Sequence, residues 1–187
     1  MGRIDAIITD FDGTLVNTFS ANYLAYKSVL KNHKIELTWN QYAECFGLRF
    51  DGLCDKLNIP KEIRNTIKEE KKKVYPEFFY GILLNENLMR FIIYAKAIGI
   101  KTCIASTASK ENLYNVLDYF KIKDYYDLII TGEDVIWGKP NPEVYNKALE
   151  KLNVNKDCAL VFEDSDMGCL AAYDAGINYI DVNKLKK

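Results

Sequence analysis

The chain has 187 residues, is 49% hydrophobic and carries a formal net charge of −1, so it is long and apolar enough for a buried core and suits one domain or a domain carrying an insert. This balance excludes a disordered chain and gives no bulk electrostatic pull toward nucleic acid or an acidic membrane. The N-terminus lacks the basic-then-apolar pattern of a signal peptide, and Lys or Arg interrupts every apolar stretch well short of a membrane span.

In chain order, Ile4 to Thr9 reads as a short buried strand. From Val16 to Tyr80 only helical periodicity follows, which predicts an inserted helical unit. Phe19, Tyr23, Tyr26 and Leu30 share one helical face, Gly47 and Gly52 punctuate the middle, and Pro60 opens a charged helix through Lys73. The run from Lys68 to Lys73 reads as a solvated face, and His33, the only histidine, as a solvated residue near the end of the first inserted helix. Strand and helix then alternate. The stripes Leu88, Phe91, Ile92, Ala95, then Leu113, Val116, Leu117, Phe120, then Tyr145, Ala148, Leu149, Leu152 recur at helical spacing. Between and after them lie the apolar runs Lys101 to Ala105, Asp127 to Thr131, Cys158 to Phe162 and Tyr179 to Val182. Ser109, Asn141-Pro142 and Ser165 supply helix starts, and Gly176 a stop.

Parallel neighbours need crossover connections, which a helix usually supplies. The expected class is therefore α/β: a Rossmann-like parallel sheet core from residues 1–15 and 81–187, with a helical unit from 16–80 inserted after the first strand. The cysteines Cys45, Cys54, Cys103, Cys158 and Cys169 are odd in number and never spaced as Cys-x-x-Cys, which disfavours a disulfide framework or a zinc site. Cys103 and Cys158 read as small buried hydrophobes, and a reducing cytoplasm is the expected location.

Ligands of open α/β sheets bind beyond the carboxyl ends of the strands, and chemically capable residues occupy those ends. Asp10 and Asp12 close the first strand, Ser106 follows the second and Glu163-Asp164 follow the fourth, with Lys139 in the loop before the helix leading to it. Asp-x-Asp-Gly alone is as ordinary as any turn with a capping carboxylate; its company changes the reading. Neighbouring carboxylates repel unless a cation offsets them, and a set of oxygen donors without His or Cys suits Mg²⁺. Phosphoryl transfer needs positive charge and donors around phosphorus. Lys139 supplies a compact cation and Ser106 a hydroxyl, leaving one carboxylate to attack and another to move protons. The expected partner is a small phosphorylated metabolite, with no nucleic acid, membrane or obligate protein partner.

The ordered set DFDGTLV, IASTAS, GKPNPEVY and VFEDSDMGCLAAYDAGI resembles the haloacid dehalogenase superfamily of phosphotransferases, in its phosphatase and β-phosphoglucomutase-like branch, over nearly the whole chain. The resemblance implies that Asp10 is the nucleophile, forming an aspartyl-phosphate, and that Asp12 protonates the leaving oxygen and later activates water. It implies phosphoryl binding by Ser106, either alone or with the Thr107 backbone amide, and by Lys139. The implied metal set is Asp10, the Asp12 carbonyl and Asp164, with Glu163 beside them, and residues 16–80 become a helical cap. Dehalogenases of the superfamily lack the second acid, so Asp12 points to a phosphatase. Mutases typically carry a His soon after the first motif and a Lys before a Gly in the cap, where this chain has Asn22 and Phe46. A sugar-phosphate mutase and a regulatory phospho-aspartate module stay as alternatives. Asn17 replaces the Asp that commonly follows DGTLV, and the second motif continues Thr107-Ala108-Ser109 where Asn is common. Ser165 reads as a helix N-cap and Asp166 as a first-turn acid, and Arg49 either faces substrate or is solvated.

Overall fold

A computed structural model describes residues 3–185. The chain divides into two compact units, one formed by Met1–Asn17 with Leu84–Lys187 and the other by Thr18–Leu83.

The first unit begins with β1 (Ala6–Thr9) and a short strand β2 (Val16–Asn17). The second unit holds α1 (Phe19–Asn32), α2 (Trp39–Ala43), α3 (Phe50–Lys56) and α4 (Lys61–Val74). After β3 (Leu83–Leu84) the first unit resumes with α5 (Glu86–Ala97), β4 (Lys101–Ala105), α6 (Lys110–Phe120), β5 (Leu128–Ile130) and α7 (Glu143–Leu152). It finishes with β6 (Ala159–Glu163), α8 (Asp166–Asp174) and β7 (Asn178–Asp181).

The sheet has the order β5-β4-β1-β6-β7, and every pairing is parallel. Thr9 is level with Ile104 on one side and Phe162 on the other. The fold is thus the α/β parallel sheet that the alternation implied. Successive strand residues point to opposite faces, so Ala6 and Ile8 of β1 join Cys103, Ala105, Ile130, Ala159 and Val161 on one face. There they pack against Val144, Tyr145 and Ala148 of α7 and Ala171 and Ala172 of α8. Burying each large aliphatic side chain of this layer contributes about 1.5–3 kcal/mol. The alanines let α8 approach closely.

The helical unit has a core of its own, with Tyr23, Val29, Leu30, Leu37, Tyr42, Leu53, Ile59 and Ile67 among its buried residues. Phe19 lies 4.6 Å from Trp39 and 5.0 Å from Tyr42 between ring centroids. Thr38 and Gln41 form a reciprocal capping box at the start of α2.

Several local expectations need correction. Lys71 is not part of a solvated face: it is 4% exposed, with Nζ 3.5 Å from the Tyr75 ring centroid and 5.3 Å from that of Tyr26. A cation over an aromatic face is attracted by the ring quadrupole, a pairing that a charge run hides. His33 is half-buried and bonds Glu70 Oε2 at 2.9 Å. Cys158 is also half-buried, because it sits in the short 3₁₀ turn before β6. Ser109 stands at the N-cap of α6 but its side chain makes no cap bond, and its buried Oγ has no hydrogen-bond partner among the described residues. At α7 the cap is shifted by one: Pro142 is the N-cap, and Asn141 Oδ1 accepts the Glu143 N–H at 3.0 Å.

All five cysteines are unpaired thiols. Among the described residues, no helix is long and apolar enough to cross a membrane.

Candidate active site

β1 is the middle strand, so the residues just past β1, β4 and β6 come together although they are distant in sequence. Asp10 is the first residue beyond β1, and its N–H donates to Phe162 O at 2.9 Å. Glu163 ends β6 and Asp164 follows it. Asp10, Glu163 and Asp164 each offer a carboxylate oxygen, and these oxygens lie within 4.8 Å of one another.

Lys139 enters this group from the loop before α7, across a cis peptide to Pro140. Its Nζ donates to Asp10 Oδ1 at 2.6 Å and also to Glu163 Oε1. The Lys139 side chain is only 8% exposed, so the ion pairs are little screened by water.

Glu163 is fully buried and fully engaged. Oε1 accepts the Tyr145 hydroxyl at 2.9 Å as well as Lys139. Oε2 accepts the Asp164 N–H at 2.9 Å and both the N–H and hydroxyl of Ser165 at 3.1 Å. Ser165 also caps α8, accepting the Gly168 N–H at 3.0 Å. Gly168 is small for a reason: a Cβ there would overlap the Glu163 carboxylate.

Asp164 is held from two distant segments. Thr14, itself buried, donates its hydroxyl to Asp164 Oδ1 at 3.0 Å, and Asn183 donates to the Asp164 carbonyl at 2.7 Å. Gly13 has φ +98°, and a Cβ there would overlap the Asp164 carboxylate. The glycine of Asp-x-Asp-Gly-Thr thus allows both the turn and the close approach.

Ser106, buried, follows β4 at the same edge of the sheet. Its N–H donates to Ile130 O at 3.0 Å and its Oγ accepts the Ala108 N–H at 3.0 Å, which leaves the hydroxyl proton free to donate. Gly132 N–H, donating to Ala108 O at 2.8 Å, ties down the same loop. Thr107 is half-buried. Asp12, also half-buried, forms a bridge to Val16, and its carboxylate lies outside the cluster of three.

The electrostatics expose an imbalance. Burial lifts the Asp10 carboxyl well above the usual carboxylate range; Lys139 opposes this, while Glu163 and Asp164 add to it. Burial and the Glu163 charge also raise Asp164. Burial works against ionised Glu163 too, but the Lys139 charge and hydrogen bonds from Lys139, Ser165 and Tyr145 outweigh it and lower its pKa. Burial alone would lower Lys139; Asp10 and its other neighbours more than offset this and hold it charged. With all three carboxyls ionised, one ammonium would leave an excess of two negative charges, and the raised Asp10 and Asp164 express burial and that repulsion together. Oxygen-only donors with that excess fit a hard divalent cation.

Tyr145 and Thr14 escaped sequence reasoning as site residues. Tyr145 sits in an apolar helical stripe, where an aromatic reads as core. Thr14 lies inside the first motif, and its partner is 150 positions away.

Comparison with known proteins identifies the family. Residues 7–182 match the family model described as haloacid dehalogenase-like hydrolase. The phosphorylated carbohydrates phosphatase of Thermotoga maritima is 32% identical over 95% of this chain and 84% of that protein. Among solved structures, CbbY from Rhodobacter sphaeroides in complex with phosphate superposes with a TM-score of 0.83 at 25% identity, covering 94% of this chain and 84% of that one. β-Phosphoglucomutase from Clostridium difficile does so with a TM-score of 0.80 at 25% identity, over 97% and 88%. With a family match spanning nearly the whole chain and a relative at this identity, the protein belongs to the haloacid dehalogenase-like hydrolases.

Proposed function

We propose that the protein is a Mg²⁺-dependent phosphatase of a small phosphorylated metabolite, acting through a covalent aspartyl-phosphate on Asp10. The observation that carries this reading is the buried Lys139, bonded at once to Asp10 and Glu163 beside the Asp164 carboxylate. In this reading Asp10 and Asp164 hold the metal through their carboxylates and Asp12 through its backbone carbonyl. Glu163, whose oxygens already take five donors, anchors Lys139 and borders the metal. Bound Mg²⁺ would neutralise the carboxylate excess and the phosphoryl oxygens.

The chain's own residues then divide the work. An Asp10 oxygen forms a bond to phosphorus as the bond to the leaving oxygen breaks, and Asp12 gives that oxygen its proton. Lys139, the Ser106 hydroxyl and the Thr107 backbone amide surround the equatorial oxygens, where negative charge spreads in the transition state. Asp12, now a base, takes a proton from water as water attacks phosphorus and frees Asp10.

The name of the Thermotoga maritima relative supports phosphorylated carbohydrates as the first substrates to test. The likeness to β-phosphoglucomutase supports a second reading, a sugar-phosphate mutase. A panel of phosphorylated metabolites with Mg²⁺ decides between them. Catalytic release of inorganic phosphate is expected, whereas isomer formation from a hexose 1-phosphate without phosphate release would establish the mutase. Asp12→Asn should impair substrates with poor leaving groups more than those with good ones, because protonation matters most for an alkoxide.

A further inference from the structure

We propose that Tyr145 is a positioning residue for phosphoryl transfer: its hydroxyl shares the charge of Glu163, so that Lys139 stays directed at Asp10 and the phosphoryl group. This inference rests on the phosphatase reading above and assigns a role to a residue outside its set of reacting groups.

Tyr145 is fully buried in the apolar layer between α7 and the sheet. A phenylalanine would fill that layer as well, and burying a hydroxyl is unfavourable unless it is hydrogen-bonded. The hydroxyl has such a bond, to Glu163 Oε1 at 2.9 Å. That oxygen also receives Lys139, whose Nζ lies 5.1 Å from the centroid of the Tyr145 ring.

The same turn of α7 governs the other end of the lysine. Glu143 accepts the backbone N–H of Ile136 at 3.0 Å and that of Trp137 at 2.7 Å, which folds the loop ahead of Gly138-Lys139 onto the helix start. The first turn of α7 therefore sets the backbone leading into Lys139 through Glu143. Through Tyr145 it sets the partner of the ammonium.

Lys139 is pulled by two carboxylates, Asp10 and Glu163. Each donor that Glu163 finds elsewhere weakens its claim on the ammonium. Without the tyrosine hydroxyl, Glu163 Oε1 loses one donor and keeps more of its charge for Lys139, which weakens the hold of the ammonium on Asp10. Ground-state binding of the rest of the substrate does not depend on this balance. The loss should therefore appear in kcat more than in KM.

The test compares wild type, Tyr145→Phe and a chain carrying para-aminophenylalanine at position 145, which restores an N–H donor, with para-nitrophenyl phosphate and Mg²⁺. A bond to a charged group carries enough energy that the Phe variant should lose about tenfold in kcat with KM within about twofold. The amino variant should recover most of that loss, and in a Glu163→Gln background Tyr145→Phe should change kcat less than about twofold, because the charge to be shared is gone.

An unchanged kcat in Tyr145→Phe overturns the proposal, as does an equal loss in the Glu163→Gln background. If the Phe chain does not fold, the amino variant decides: activity near wild type supports the role, and a tenfold loss overturns it. A wild-type chain that releases no phosphate from any substrate refutes the phosphatase reading instead.

Discussion

Lys139 and Asp10 stand 129 positions apart in sequence and 2.6 Å apart between Nζ and Oδ1. The parallel sheet makes this possible, because it delivers the ends of β1 and β6 to one edge and the loop before α7 reaches across to them. The lysine is the only cation bonded to the three-carboxylate cluster among the described residues, and its removal has two separable consequences.

Lys139→Met should lower kcat by about 10²–10³-fold, the range for losing one preorganised donor to a charged transition state. Breaking a buried ion pair from one side costs about 3–5 kcal/mol, so the thermal midpoint should fall as well. Added Mg²⁺ should restore part of the midpoint but not the rate. Steady-state kinetics and thermal denaturation on the same variant check both.

The carboxylate excess makes a second expectation. Because burial and neighbouring acids raise Asp10 and Asp164, a divalent cation that binds the folded state should stabilise it by mass action, by about 2.7 kcal/mol at a hundredfold excess over Kd. Thermal denaturation with Mg²⁺ and with chelator should show a higher midpoint with metal. Asp164→Asn should shrink that difference, and a metal response equal to that of wild type would remove Asp164 from the metal set.

A third expectation concerns pH and lies away from the site. Asp127 Oδ2 accepts the Thr102 N–H at 2.8 Å and hydroxyl at 3.1 Å, and its Oδ1 pairs with Lys96 at 3.0 Å. Partial burial opposes ionisation, but these bonds outweigh it and lower the carboxyl below its ordinary value. A lowered folded-state pKa means that the unfolded chain binds more protons in the window below about 3.9. The contribution is therefore present above that value and lost as pH falls through the folded value. Thermal midpoints of wild type and Asp127→Asn should differ most above about pH 5 and converge as pH falls through that window. A constant difference across that range would contradict this.

Much of the sheet was legible because buried parallel strands are short apolar runs bounded by turn residues. β4 spans Lys101–Ala105 as read from the sequence, whereas β1 starts two residues later and β6 one residue later than expected. The residues at the strand ends were legible as well, since polar groups following apolar runs stand out. Groups whose partners come from distant segments were not. The Lys71 ammonium lies over the ring of Tyr26 as well as that of Tyr75, four residues on, and Tyr145 turns a hydroxyl toward Glu163. The contacts with Tyr26 and with Glu163 depend on which elements meet, which periodicity alone does not specify. Ser109 shows the reverse case, a good cap residue by type whose hydroxyl makes no cap bond.

The central claim is that Asp10 forms a covalent bond to phosphorus, and rapid quenching of a turnover mixture followed by peptide mass analysis tests it most directly. With Mg²⁺ and a substrate that wild type hydrolyses, the peptide containing Asp10 should carry one phosphoryl group, and Asp10→Asn should neither form that adduct nor release phosphate. Phosphate release by Asp10→Asn at a rate near that of wild type, or a phosphoryl group on another residue, would contradict the account.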